Sequence, residues 1–91
     1  MHVVWSTAAR RDLMRVYAFL RPDSPRAATR IVSMLDAAAD RLPDYPEIGI
    51  RLDDYDPLHV RSLIVGDYEM RYQILPDTLF IVRLWHARED R

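Results

Sequence analysis

The residues best equipped for chemistry stand at the end of the chain, in the run Trp85-His86-Ala87-Arg88-Glu89-Asp90-Arg91. An imidazole titrates near neutrality and can move a proton. A guanidinium close by can stabilise charge that develops on a phosphoryl group. Together they suit RNA cleavage, with His86 moving the 2′-hydroxyl proton and Arg88 steadying the phosphorane. The strand pairing expected from the turns adds Arg71 to the same sheet face. The competing reading is an ordinary polar end after a core strand, with Trp85 as its anchor.

Nothing else in the chain competes. The three His, at 2, 59 and 86, have no metal-ligand spacing, so no metal site is expected. There is no Cys, which excludes thiol nucleophiles and disulfides. Ser6, Ser24, Ser33 and Ser62 lack the context of a catalytic serine, and there is no phosphate loop, so no cofactor is expected. Glu69 and Glu89 are the carboxylates expected to face a partner, but they define no acid/base pair.

The composition narrows the class further. Ninety-one residues predict one domain spanning 1–91, and an apolar share of 49% argues against disorder. The net charge of −1 supplies no general attraction to nucleic acid or membranes. All thirteen basic residues are Arg. That fits either a GC-rich coding sequence or a use for bidentate recognition. The N-terminal run MHVVWSTAARRD holds no apolar stretch long enough for a signal peptide or a span, and a cytoplasmic protein is expected.

These residues must be positioned by elements that the pattern outlines. His2–Trp5 reads as a strand. Ser6 is a good N-cap for a helix whose apolar stripe is Ala9, Leu13, Val16, Tyr17 and Leu20, with Arg10, Arg11, Asp12 and Arg15 on the other face. Ser24-Pro25 starts a second helix with stripe Ala28, Ile31, Leu35, Ala38 and Leu42, which Pro43 ends. The short connection makes the two an antiparallel hairpin. Residues 43–57 are irregular, with a short edge strand available at Ile48–Leu52. Their cluster Asp53, Asp54 and Asp56 is either a solvated loop or a clamp for an Arg. Leu58–Val65, Tyr68–Leu75 and Thr78–His86 then form a meander, turning at Gly66-Asp67 and Pro76-Asp77. The expected class is α+β: a helix hairpin on one face of a small antiparallel sheet, in the order β-α-α-β-β-β.

Two-residue turns fix register and therefore faces. Met70 should oppose both Leu63 and Arg83, and Tyr72 should oppose Ile81. One face then carries Leu63, Val65, Tyr68, Met70, Tyr72, Ile74, Leu79, Ile81 and Trp85 toward the helices, with Arg61 and Arg83 at its margins. The other carries Ile64, Phe80, Val82 and Leu84 as an apolar stripe, beside Val60, Ser62, Glu69, Arg71, Gln73 and His86. Such a stripe marks a partner site unless the 43–57 loop or a second copy covers it.

The segments W-S-x-x-A-x-x-D-L-x-x-x-Y at 5–17, P-x-A-A at 25–28, L-P-x-x-P-x-x-G at 42–49, V-R-S-L-I-V-G-D-Y-E-M-R-Y-Q-I at 60–74 and I-V-R-L-W-H-A-R at 81–88 resemble ParE-like toxins of the RelE/ParE superfamily. The resemblance implies a type II toxin, neutralised by a small DNA-binding, ParD-like antitoxin whose tail wraps it. It implies DNA gyrase as target for the ParE-like branch and ribosome-bound mRNA for the RelE-like branch. An inactive member that only binds antitoxin is the third possibility. The nucleases' basic positions on the first two meander strands fall on Val60, Ser62 and Glu69, none of them basic. Only Arg88 retains a basic residue, which favours the ParE-like branch. Nucleic acid would then be met only through antitoxin or gyrase, and no membrane is involved. The segment 83–91, with Arg83, Trp85, His86 and Arg88, is the expected target surface. Ile64, Arg71, Phe80, Val82 and Leu84 form the expected antitoxin surface. On this register Phe80→Asp and Leu84→Asp should each abolish antitoxin binding without unfolding the chain, read by pull-down and circular dichroism.

Overall fold

The computed structural model describes residues 1–88. Its strands are β1 (His2–Trp5), β2 (Ile50–Arg51), β3 (Val60–Val65), β4 (Tyr68–Ile74) and β5 (Thr78–His86), and its helices α1 (Thr7–Leu20) and α2 (Pro25–Arg41). Both helices start where their caps predict. Ser6 Oγ accepts the Ala9 N–H at 2.9 Å and Ser24 Oγ the Ala27 N–H at 3.1 Å. Each such cap stabilises its helix by about 1 kcal/mol.

The two helices pack on one face of a five-stranded sheet, in the spatial order β1-β5-β4-β3-β2. The sheet is mixed, not antiparallel as the sequence reading had it, because β1 runs parallel to β5 from His2↔Thr78 to Trp5↔Ile81. The physical reason is the helix hairpin. It carries the chain across the sheet to the far edge, and the meander then returns β5 beside β1 in the same direction. Ala9, Leu35, Ala39 and Leu42 from the helical layer meet Met70, Tyr72, Leu79, Ile81 and Leu84 from the sheet, all essentially buried.

The 43–57 segment is tied to this core by Tyr72. Its hydroxyl accepts the Gly49 N–H at 3.0 Å and donates to Pro46 O at 2.7 Å. A Cβ on Gly49 would stand 2.7 Å from Ser62 O, so the close approach requires glycine. Within the acidic cluster, Asp56 pairs with Arg51 at 3.0 Å on the surface, so part of it does clamp an Arg of this chain.

The β3–β4 register is the expected one, with Leu63↔Met70 and Arg61↔Tyr72. The β4–β5 register is the expected one only from Tyr72↔Ile81 toward the turn. Beyond it the pairs are Arg71↔Arg83, Met70↔Leu84, Glu69↔Trp85 and Tyr68↔His86, so Val82 is the extra residue of a β-bulge. One added residue reverses every face beyond it. Leu84, expected on the open stripe, is 0% exposed in the core. Trp85 moves to the open face and His86 to the helix side.

The bulge sits where β1 runs out. Ser6 N–H donates to Ile81 O at 2.9 Å and Ser6 Oγ to Val82 O at 2.8 Å, ending the parallel ladder. From there Asp12 of α1 takes over. Its carboxylate accepts the Leu84 N–H at 2.9 Å and the Arg83 Nε–H at 2.7 Å. The helical pattern places Asp12 on the polar face of α1, yet it is only 1% exposed. Burial alone would push its pKa up. Hydrogen bonds from Arg83 and from the Leu84 N–H, with the charges of Arg83 and Arg15, hold it below its ordinary value of 3.8.

Asp12→Ala is expected to destabilise the chain by about 2–4 kcal/mol in urea unfolding, because it strands the Leu84 N–H and removes the carboxylate under Arg83. A depressed folded pKa contributes stability that is present above the unfolded value and lost as pH falls through the folded one. The stability gap between wild type and Asp12→Asn should therefore narrow as pH falls below the ordinary value of 3.8. Leu84→Asp should now unfold the chain rather than selectively remove a partner.

Candidate functional site

Two surfaces can be built from these elements. The first is the sheet face away from the helices. Its centre holds Glu69, 6% exposed, and Trp85, 8% exposed, opposite each other on β4 and β5. Arg71, two residues along β4 and on the same face, donates through NH2 to Glu69 Oε2 at 2.8 Å. Ser62 Oγ donates to the same oxygen at 2.9 Å. The Arg71 guanidinium lies 4.6 Å from the Trp85 ring centre and 5.6 Å from that of Tyr55, and it donates to the Tyr55 hydroxyl at 2.8 Å. Cation–π contacts of this kind contribute about 0.5–2 kcal/mol each. Burial alone would lower the Arg71 pKa; the bonds to Glu69 and Tyr55 outweigh it and leave the pKa raised.

Tyr55 belongs to a 3-10 turn at Asp53–Tyr55, so the 43–57 segment covers part of this face. Val60 is buried, while Phe80 and Val82 are half-buried. Of the expected antitoxin stripe only Ile64 stands well out, at 59% exposure. Arg71 is sandwiched and Leu84 is in the core, so the stripe that motivated that assignment is largely gone. Arg83, expected at the margin of the helix-facing side, pairs with Arg71 across the strands. It curls round the edge of β5 to Asp12, with its guanidinium 5.2 Å from the Trp85 ring.

The second surface lies on the helix side, where the end of α1 and the start of α2 meet the β3–β4 turn and the end of β5. Tyr68 packs edge-to-face against His86, with ring centres 5.3 Å apart. His86 Nδ1 accepts the Arg88 N–H at 3.2 Å. Around them Val16, Phe19 and Leu20 of α1 and Ile31 of α2 complete an open apolar groove of about 640 Å³, flanked by Arg15, Arg30 and Arg88. Phe19 is 79% exposed at its mouth. The sequence reading missed the groove. The available signal was Phe19 itself, a large apolar residue off the stripe of Leu13, Val16 and Leu20.

The structure therefore separates the residues proposed for RNA cleavage. His86 and Arg88 are together, but Arg71 is on the opposite sheet face. Glu89, Asp90 and Arg91, the end of the 83–91 segment, lie outside the described residues. Among the described residues no cluster of three or more His, Asp or Glu could hold a metal ion. Among them also, no helix is long and apolar enough to cross a membrane.

A family model described as the ParE toxin of the type II toxin–antitoxin system parDE matches residues 3–91. The chain belongs to this family. Its relatives include toxin RelE1 of Caulobacter vibrioides, 33% identical over 98% of this chain and 96% of the relative. Toxin RelE2 of the same organism is 38% identical over 93% of each. A solved structure described as a chromosomal ParDE toxin–antitoxin system from P. aeruginosa shares the fold, with a TM-score of 0.79 at 19% identity, over 94% of this chain and 95% of that one. The toxin thus has the ParE fold and belongs to the class its sequence resembles.

For this toxin, Arg71→Ala removes a cation 2.8 Å from a buried carboxylate and one face of the Trp85 stack. A stability loss of about 1.5–3 kcal/mol is expected. A red shift of Trp85 emission, read in a Trp5→Phe background, should accompany it. Unchanged emission would mean that the sandwich does not persist in solution.

Proposed function

We propose that the toxin arrests growth in the cytoplasm by binding DNA gyrase rather than by cutting RNA, and that a ParD-like antitoxin encoded beside it neutralises it. The observation that carries the choice of branch is the closed sheet face. The positions where the resemblance places a nuclease's basic residues are Val60, Ser62 and Glu69. Here Val60 is buried, Ser62 is bonded to Glu69, and Glu69 is a buried carboxylate bonded to Arg71. A surface that binds RNA phosphates needs outward cations. This one turns its cation inward, onto its own carboxylate and two aromatic rings.

The separation of Arg71 from His86 supports the same reading, because the two guanidinium groups of the expected cleavage set do not converge on the imidazole: Arg88 stays beside His86 while Arg71 lies on the opposite sheet face. Binding then falls to the end of β5. Arg83 is engaged with Asp12 and Trp85 is largely covered, so His86 and Arg88 are the members of the target-binding set that reach open surface. A ParDE neighbour in the solved structures supports the expectation of an antitoxin partner. Ribosome-dependent RNA cleavage, which the resemblance implies for the RelE-like branch, is the second reading, and two of the relatives are named toxin RelE1 and toxin RelE2.

Purified toxin is expected to stall gyrase supercoiling and to accumulate cleaved DNA, while ribosome-bound mRNA stays intact. Supercoiling that continues at saturating toxin overturns the gyrase reading. Cleaved mRNA in the same preparation would establish the nuclease instead.

A further inference from the structure

The outward face of the helix hairpin is a third surface, and its charge is unlike that of the rest of the chain. At helical spacing, Arg10, Arg11 and Arg21 fall on the side of α1 opposite the buried Ala9 and Asp12. Arg26 and Arg30 fall on the side of α2 opposite the buried Ala28 and Leu35. All five are exposed. The Arg residues that serve the fold are engaged: Arg15 and Arg83 with Asp12, Arg51 with Asp56, Arg61 with Glu47 and Arg71 with Glu69. Among the described residues, the five on the hairpin face have no ion pair. Exposed cations without partners add little to stability and repel one another, so the fold does not account for this face.

The arrangement of charge says what would meet it. Residues 7–31 hold six Arg against only Asp12 and Asp23, although the whole chain is −1. Asp12 is buried beneath Arg83 and Arg15, which leaves Asp23 as the outward acid of this stretch. The remaining residues hold seven Arg and twelve acids, so the chain has a basic pole and an acidic one. Such an asymmetry orients a protein toward a polyanion, which the net charge alone does not do. The row from Arg10 to Arg21 is about 16 Å long at roughly 1.5 Å per residue. It therefore spans the ~12 Å major groove of a duplex from one backbone to the other. Thr7, Ala18 and Thr29, small and exposed, let a backbone come close. A protein partner or a bilayer draws on contiguous apolar surface, and this face offers Met14 with Tyr17 at its margin. A phosphate backbone asks only for outward cations.

We propose that the outward face of the hairpin contacts the phosphate backbone of the duplex DNA that gyrase holds. The proposal rests on gyrase as the target and adds a second contact to it. The toxin then bridges enzyme and DNA, with His86 and Arg88 toward the enzyme and the hairpin Arg toward the duplex. The contact is independent of base sequence, because phosphates carry none. It is weak alone, because few cations take part. A toxin docked on gyrase meets the duplex at high effective concentration, so a weak contact suffices.

The test uses full-length toxin and a labelled short DNA duplex, with binding read by fluorescence polarisation across a salt series. The wild type should bind, and log affinity should fall against log salt with a slope of about −4. Arg10→Glu combined with Arg21→Glu should weaken binding about tenfold or more and reduce that slope by about 2. Arg41→Glu makes the same change at an exposed Arg beside Asp40, at the acidic end of α2, and should alter affinity by less than about twofold. Circular dichroism should be the same for all. With gyrase, the doubly reversed variant should still bind the enzyme without DNA but accumulate about tenfold less cleaved DNA. No duplex binding by the wild type at low salt overturns the inference, as does an equal loss from Arg41→Glu. Tighter binding to a structured RNA or to anionic phospholipid vesicles through the same Arg residues overturns it in favour of that partner. Untouched supercoiling, with duplex binding that still needs Arg10 and Arg21, sinks the gyrase reading and leaves the DNA contact standing. Stalled supercoiling that ignores the double reversal does the opposite.

Discussion

One buried carboxylate decides how the end of this protein is built. Asp12 sits on α1 beneath the last strand and accepts both the Leu84 N–H and the Arg83 guanidinium. It does so just past the point where β1 stops pairing with β5. Unpaired backbone at a sheet edge must find a partner or water. Here a side chain from the helical layer supplies it, together with the Ser6 hydroxyl on Val82 O. An ionised carboxylate is costly to bury unless several donors converge on it, and here they do. The bulge at Val82 and the contacts of Asp12 are mutually required, since a register without the extra residue would aim Leu84 away from the core.

The functional geometry follows from that register. With the bulge, Trp85 lands on the sheet face away from the helices and stacks on Arg71, which neutralises Glu69. His86 lands on the helix side against Tyr68. An unbroken strand would have put His86 and Arg71 on the same face, close to the arrangement an RNA-cleaving site needs. The same single residue thus closes one surface and furnishes the wall of the other. Trp85 and Leu84 exchange roles between a covered face and the core, although both are strongly apolar and adjacent in sequence.

What could be read from the sequence was whatever nearby residues decide. Ser6 and Ser24 cap their helices because the cap is a three-residue interaction, and Gly66-Asp67 turns β3 into β4 because a two-residue loop admits few conformations. The helix stripes placed Ala9, Leu35 and Leu42 in the core by periodicity alone. The missed features were set by distant partners. Asp12 looked polar and exposed among Arg10, Arg11 and Arg15, and nothing local reveals that the strand edge it serves lies 71 residues away. The parallel β1–β5 pair depends on the path of the whole chain. Tyr55 covers Arg71 from a segment whose fold is fixed by Tyr72, Gly49 and Pro46 rather than by its own pattern. The family resemblance, by contrast, was carried by short motifs in order, and it survived the change of faces because motifs do not encode them.

The charge distribution gives the two surfaces different tasks. On the sheet face Arg71 is engaged by Glu69, Tyr55 and Trp85, and the result is a locally neutral patch. On the helix side Arg30 and Arg88 flank a trough with Asp67 as its only described acid, and the result is a basic, apolar surface. Burying the trough gains about 25 cal/mol per Å² of apolar surface, and the two cations add orientation and encounter rate more than affinity. A partner that matched only the charge would bind this surface weakly and in a strongly salt-dependent way. One that matched only the apolar floor would leave the guanidinium groups facing a low-dielectric contact.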